Sequence, residues 1–495
     1  METEQTQNDF LGNAKLGKLM LKFCIPCILS LLVSALYNIV DQLFVGQNIG
    51  LSGLSVNGEA LTASGIVFPI FIIAQAFAWW IGDGTAAYLN ICQGRGQADK
   101  AHKAIGFGIA LTVVISGVLM AIFYPLKEKI LWLFGAEEEK VLEYAVQYFD
   151  IILGFFPVFM AMNMINAVIR ADGAPGWSMA SMLSGAIINI ILDPIFLYVA
   201  KWGLAGAAWA TVIGQCVSCV ISVVYLFRTK TFKLKAKSFL PSGEIVPAIK
   251  LGLSSFITQM TIVVISLVCS RMLAKYGILK YGNAYMPVAL IGVESKVFTL
   301  VVNIVVGIIL GCQPILSYNL GAKNYKRVRL CYLYVLLCTV AITLLFTVLF
   351  EACPDMFIRL FIDGKTLEND PTYMEFGKKL FRIFLMFVTF TCTIKMSSIF
   401  FQALGKPVFA TVASLVRDIV CFVPLVCTLP IAMGIDGCIW AAPIADGIAI
   451  IVTAALTVLC FKDLNKRAKA EVAAEPEKVA AEEPEKAVEG EITEN

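Results

Sequence analysis

Apolar residues in this chain gather in long runs that hold few or no charges. In the first half these are Phe23–Val40, Ala60–Gly82, Ala104–Leu126, Ile151–Ile169, Gly173–Leu192 and Trp202–Phe227. In the second half they are Leu251–Ser270, Val297–Ala322, Leu330–Phe350, Ile383–Ile394 (continuing past Lys395), Ile419–Ile435 and Asp436–Phe461. Most approach the ~20 residues that carry a helix across the hydrocarbon core. Lipid offers no water to backbone N–H and C=O groups, so each run must close its hydrogen bonds internally as a helix. Twelve spans, an even number, put both chain ends on one face.

Composition agrees with the pattern. Of 495 residues 59% are apolar and only 15% are charged, against roughly 25% charged in soluble domains. The expectation is an all-α integral membrane protein of twelve transmembrane helices. Histidine occurs once, as His102, which argues against a His-based catalytic or metal site. The fifteen cysteines are scattered through apolar runs, unlike the disulfide framework of a small oxidised domain. Even the C-x-x-C pairs Cys24/Cys27 and Cys216/Cys219 sit in helical stretches, where Cys packs as a small hydrophobe. Met1–Phe10 is acidic and polar, and lacks the basic region that opens a signal peptide.

The basic residues orient the spans. Loops of one parity hold Arg95, Lys100, Lys103 and Arg170, then Arg228 to Lys237, Lys323 to Arg329, Lys406 and Lys462 to Lys469. Those of the other parity carry fewer, interleaved with acids such as Glu137 to Glu139. The rich side is expected to be cytoplasmic, which puts both termini in the cytoplasm and the protein in the cell inner (plasma) membrane. The formal charge of +3 conceals an asymmetry: Glu471–Asn495 has nine acids and two lysines, a net −7, leaving +10 before it. That tail repeats Glu-Pro-Glu-Lys, has no apolar face, and reads as disordered.

The halves resemble each other. Gly203-Leu-Ala-Gly206-Ala-Ala-Trp209-Ala210 matches Gly434-Ile-Asp-Gly437-Cys-Ile-Trp440-Ala441 at an offset of 231. Ala171-Asp-Gly173-Ala-Pro175 matches Ala403-Leu-Gly405-Lys-Pro407 at 232, and the Gly94 loop matches the Gly321 loop at 227. Six helices per copy bring the second copy in from the same side, so the repeats are parallel. The expected organisation is a bundle over 1–227, a cytoplasmic linker over 228–243, a second bundle over 244–461 and a tail over 462–495. Two such bundles imply a central cleft between them.

Two glycine patterns are decoys. Gly12-Asn-Ala-Lys-Leu-Gly17-Lys18-Leu19 has Leu where a P-loop needs Ser or Thr, and Gly82-Asp-Gly84-Thr-Ala-Ala87 ends a transmembrane helix rather than following a strand. Without a nucleotide site, uphill transport would draw on an ion gradient.

Ionisable residues inside the bilayer are costly, and so are functional candidates. Asp41 and Asp193 fall near the outer ends of helices 1 and 5, each within ~10 Å of the boundary at 1.5 Å per residue. Asn189 precedes Asp193 by four and shares its face. Thr211 on helix 6 reaches a similar depth, and Pro194 frees the carbonyl of Ile190. Such oxygens can bind a proton or share a hard cation such as Na⁺. The repeat offsets carry Asp41 near Val268, Asp193 to Pro424 or Leu425, and Thr211 to Ala442, so the cluster belongs to the first copy alone. The second copy has Glu294, Lys296, Lys395, Arg417, Asp418 and Asp446. Inter-helix ion pairs account for these at least as well as substrate contact, and Glu294 and Lys395 are the best candidates for lining the cleft.

Lys18-Leu-Met-Leu-Lys-Phe-Cys-Ile-Pro26, Leu36-Tyr-Asn-Ile-Val-Asp41-Gln-Leu-Phe-Val-Gly46, Arg170-Ala-Asp-Gly-Ala-Pro175, Asn189-Ile-Ile-Leu-Asp193-Pro194, Gly206-Ala-Ala-Trp-Ala-Thr211 and Tyr318-Asn-Leu-Gly-Ala-Lys323 together resemble the multidrug and toxic compound extrusion (MATE) family, in its DinF-like branch. The resemblance covers nearly the whole chain before the tail. It implies two six-helix bundles and H⁺- or Na⁺-driven antiport of amphipathic, often cationic drugs out of the cell. In that branch an acid on helix 1, an Asn and an Asp on helix 5 and a Thr on helix 6 form the cation site, here Asp41, Asn189, Asp193 and Thr211. Glu294 and Lys395 lie outside that pattern. The expectation is therefore a monomeric exporter with no cofactor beyond the coupling ion, no bound metal other than Na⁺ at those four residues, and no nucleic-acid partner. The nearest rival is a flippase of lipid-linked precursors from the same superfamily, which would favour a cleft lined with cations. A membrane-embedded enzyme would need a clustered His, Asp or Cys site, and His102 alone does not supply one.

Overall fold

The computed structural model describes residues 11–46, 58–134, 136, 139–282, 285–362 and 370–492; side chains at 38, 41–46, 58–62, 98, 285 and 470–492 lie outside the described set. The described residues are helical almost throughout. In the first half α1 is Leu16–Gly46, α2 Gly58–Gly94, α3 Ala98–Leu133, and α4 a pair of segments, Glu139–Gly154 and Phe156–Ala171. Then come α5, Pro175–Pro194 with a π-helical turn Ile195–Val199, and α6, Gly203–Leu226. The second half has α7 Ile245–Tyr281, α8 Tyr285–Gly321, α9 Tyr325–Ala352 and α10, the segments Thr372–Phe384 and Val388–Ala403. It ends with α11, Pro407–Leu415 joined through the π-helical Val416–Phe422 to Val423–Met433, and α12, Ile435–Ile492. Among the described residues ten helices are long and apolar enough to span a membrane, and the number is twelve when each of the bent pairs α4 (54°) and α10 (48°) is taken as one span.

Several elements exceed the apolar runs that announce them. α2 continues past Asp83 to Gly94, α11 begins at Pro407 rather than Ile419, and α8 begins at Tyr285, which sets Glu294 inside the helix. The α12 backbone is helical through Ile492, where composition predicts disorder; Ala, Glu and Lys are strong helix formers.

The duplicated motifs are turns. Gly96 (φ 70°) and Lys323 (φ 61°) are repeat mates, as are Gly173 (78°) and Gly405 (70°), and Gly203 (58°) and Gly434 (60°). At each, the chain enters the left-handed region that favours glycine.

The bundles meet by two equivalent crossings. α2 packs on α7 and α8 on α1, and exchanging the copies turns one crossing into the other. Small residues permit both. A Cβ at Gly84 would stand 2.7 Å from the nitrogen of Gly252, and one at Gly307 or Gly311 would meet the α1 backbone at Ile28 and Cys24 at 2.6–2.7 Å. Between them, a Cβ on Gly94 would come within 2.8 Å of Gly321, its own repeat mate. Self-contact of equivalent positions marks the pseudo-two-fold axis, at the face that carries both chain ends. The named cross-bundle contacts run from that face up to Asn303 Nδ2 on the Leu31 carbonyl (3.3 Å) and Phe77 on Phe256 (ring centroids 4.9 Å), both near mid-helix. The cleft is therefore closed toward the termini.

Candidate functional site

In the first bundle α5 and α6 run antiparallel and meet at successive turns. Ser181 Oγ donates to the Ser218 carbonyl and Ser218 Oγ to the Ser181 carbonyl, both at 2.7 Å. One turn on, Gly185 and Gly214 bring the backbones together, a Cβ on Gly185 standing 2.6 Å from the Gly214 carbonyl oxygen. At the next turn Asn189 Nδ2 lies 3.3 Å from Thr211 Oγ1 and 3.3 Å from Asp193 Oδ1. Hydrogen bonds between membrane helices contribute about 0.6 kcal/mol each, so close glycine packing does much of the positioning.

This brings together three of the four residues named from sequence. Asn189 and Asp193 are buried, Thr211 half-buried. The amide donates to both neighbours, which leaves its Oδ1 without a hydrogen-bond partner. Oxygens of an amide, a carboxyl and a hydroxyl thus converge at one level. Asp41 lies on the last turns of α1, which packs along α5; its side chain falls outside the described residues. The repeat mates hold no such chemistry: Cys421 and Ala442 face the core of the second bundle, and Pro424 or Leu425 stands where the first copy has Asp193.

Charges in the second bundle serve differently. On the π-helical part of α11, Arg417 Nη1 reaches Asp418 Oδ1 at 2.9 Å and its Nε reaches Asp446 Oδ1 on α12 at 2.8 Å. Thr261 of α7 donates to Asp418 Oδ2 (3.0 Å) and Thr391 of α10 to Asp446 Oδ2 (2.7 Å). Every carboxylate oxygen has a donor, so this node ties four helices together and offers no open valence to a ligand. It is the inter-helix pairing the sequence favours. Gly185 and Gln215 are its repeat mates, so the first bundle has close backbones where the second has an ion pair. Glu294 is buried and Lys395 half-buried, and no ion pair joins them.

Sequence reading missed a further polar group, on the seam between the bundles. Buried Asp83 accepts from Ser255 Oγ of α7 at 2.9 Å, with Arg170 Nη2 of α4 at 3.7 Å. Buried Gln402 of α10 reaches Ser255 Oγ at 3.3 Å. Trp80 Nε1 donates to the Ile249 carbonyl (2.9 Å) and Tyr88 Oη to Glu244 (2.7 Å) on the same crossing. Arg170 and Gln402 occupy equivalent positions in the repeat. The available signal was Asp83 itself, an acid followed by eleven more residues of uncharged helix. Outside the spans, Asp172 accepts from Tyr225 Oη (2.6 Å), the backbone of Lys230 (2.8 Å) and both backbone and hydroxyl of Thr231. It pins the start of the linker to the first bundle.

Known proteins share this plan. The MatE family model matches the chain twice, over residues 26–195 and 255–428. The multidrug export protein MepA of Staphylococcus haemolyticus is 25% identical over 88% of this chain and 92% of its own. That of Staphylococcus aureus strain MRSA252 is 23% identical over 90% and 94%. Among solved structures, a MATE transporter bound to MaL6 superposes with a TM-score of 0.83 at 22% identity, over 92% of this chain and 99% of that one. An outward-facing multidrug resistance MATE transporter of the MOP superfamily gives 0.81 at 22%, over 92% and 98%. Two helical bundles, a duplicated turn grammar and a family match that falls once on each copy have one reading: the chain belongs to the MatE family of multidrug and toxic compound extrusion proteins, and is a multi-pass membrane transporter, not an enzyme.

Proposed function

We propose that this transporter exports amphipathic, often cationic drugs in exchange for H⁺ or Na⁺, acting as a monomer in the cell inner membrane with both termini in the cytoplasm. The observation that carries the reading is the convergence of Asn189, Asp193 and Thr211 in one bundle and not its mate. Packing devices of the fold would be expected in both copies. With the termini inside, the seam closed by Gly94, Gly321 and Asp83 is the cytoplasmic one. A cation entering from outside binds at Asp193 and its neighbours, with Asp41 completing the set. Binding neutralises carboxyls that burial disfavours as ions, drug leaves outward, and the bundles rock so that the cytoplasmic seam parts. Lys395, half-buried on α10, contributes to the drug-facing wall, with Glu294 behind it.

Fluorescent-dye efflux from proteoliposomes under an imposed ΔpH or ΔNa tests the reading. Wild type should move dye against its gradient with one of the two ions. Asp41→Asn and Asp193→Asn should fold, reach the membrane and lose coupled efflux. Undiminished efflux by either variant would overturn the assignment, and lipid-precursor translocation without dye transport would favour a flippase.

A further inference from the structure

Glu294 has a role that neither the coupling site nor the ion node supplies. It sits nine residues into α8 and is 2% exposed. Its Oε1 has no hydrogen-bond partner, and Oε2 has only the 3.4 Å approach of the adjacent Ser295 hydroxyl. The titratable and charged groups acting on it from neighbouring helices are the Arg417 guanidinium of α11 and the Cys269 thiol of α7. Lys296 on its own helix turns to the Phe361 ring (5.7 Å), and Lys395 of α10 acts on Asp418. Arg417 is already forked between Asp418 and Asp446. A carboxylate ion at Glu294 would therefore be buried with one oxygen bare, which is far costlier than the neutral acid.

We propose that Glu294 is a second proton-binding carboxyl, holding its proton in this closed-seam arrangement and releasing it when the second bundle changes shape. The inference rests on the export reading and adds a coupled proton to it. Burial selects the ligand. At 2% exposure a drug-sized organic cation has no access, and Na⁺ needs several oxygen ligands, whereas the side chains that act on Glu294 are a thiol, an occupied guanidinium and a single hydroxyl. A proton needs one oxygen, and the bare Oε1 provides it. The step is acid–base only: the proton bonds to Oε1 and later leaves to water, with no change of oxidation state.

Infrared difference spectroscopy on the full-length protein in lipid nanodiscs tests this. The carbonyl stretch of a protonated carboxylic acid, shifted in D₂O, should be present in wild type, retained in Glu294→Asp and diminished in Glu294→Gln. An identical band in Glu294→Gln would overturn the proposal, as would its absence from both wild type and Glu294→Asp. In ΔpH-driven dye efflux, the rate should fall about 100-fold per pH unit where two sites titrate, and about 10-fold in Glu294→Gln. Equal slopes would also overturn it. If wild type moves no dye under ΔpH, the proton-export reading fails on its own, while the infrared comparison still decides the state of Glu294.

Discussion

Substituting Gly252 with alanine puts one methyl group into the tightest place between the bundles. Its Cβ would overlap the Trp80 carbonyl oxygen outright, stand 2.8 Å from the Trp80 carbonyl carbon and 3.1 Å from the Gly84 nitrogen. The obstacles are backbone atoms, and no rotamer change relieves them. Restoring ordinary contact needs α2 and α7 to part by about 1 Å, at an overpacking cost of roughly 1–3 kcal/mol. The same separation strains the Ser255–Asp83 and Trp80–Ile249 bonds, which lie within one turn. In an alternating-access cycle the cost falls on the closed-seam state alone, because the opposite state separates these helices. Each 1.4 kcal/mol is a tenfold shift, so Gly252→Ala should move the equilibrium toward the seam-open state by about 5- to 150-fold. Spin labels placed on the linker-side ends of α2 and α7 would read the distance distribution. Loss of global stability with unchanged state populations would refute the reasoning.

Other expectations follow from the same contacts. Arg417→Met leaves Asp418 and Asp446 buried without their cation and should destabilise the fold by about 3–5 kcal/mol, read as a lower thermal midpoint in detergent; dye efflux at permissive temperature should persist. Asp83→Asn keeps the shape but removes the charge from the bonds to Ser255 and Arg170. It should weaken the closed seam by about 1–2 kcal/mol and raise reactivity of a cysteine placed at buried Ser254 toward a membrane-impermeant thiol reagent. Thr211→Val removes one oxygen at unchanged size, so apparent affinity for the coupling ion should drop while maximal efflux at saturating ion survives. Asp172→Ala releases four donors and should make the linker around Lys230 to Lys237 cleavable by trypsin in the folded protein.

Span number, duplication and the α5–α6 site were legible because each rests on a local rule. Hydrocarbon selects for apolar length, and turns in the left-handed region select for glycine, which is why the recognisable repeats are Gly173/Gly405 and Gly203/Gly434 rather than the lipid-facing walls. Asn189 and Asp193 share a helix face by spacing alone. What escaped was tertiary. An apolar-run criterion stops at Asp83 and begins after Arg417–Asp418, because an unpaired charge at mid-membrane costs about 2.5–3.5 kcal/mol on insertion scales. Asp83 meets Ser255 from another bundle and Arg417 meets Asp446 from another helix, and sequence spacing does not announce either partner. The burial of Glu294 was hidden for the same reason, since α8 begins well before its apolar run.

The contact of Gly94 with Gly321 has a history written into it. A position that touches its own equivalent across a two-fold axis is what a symmetric homodimer makes. A six-helix ancestor could have paired through this glycine as two identical subunits, in which every substitution was felt twice. Joining the copies through the 228–243 segment would have ended that obligation. One unit became free to gather Asn189, Asp193 and Thr211 at one level while the other replaced a glycine crossing with a salt-bridged knot, and the contact of Gly94 with Gly321 stayed bare of side chains in both.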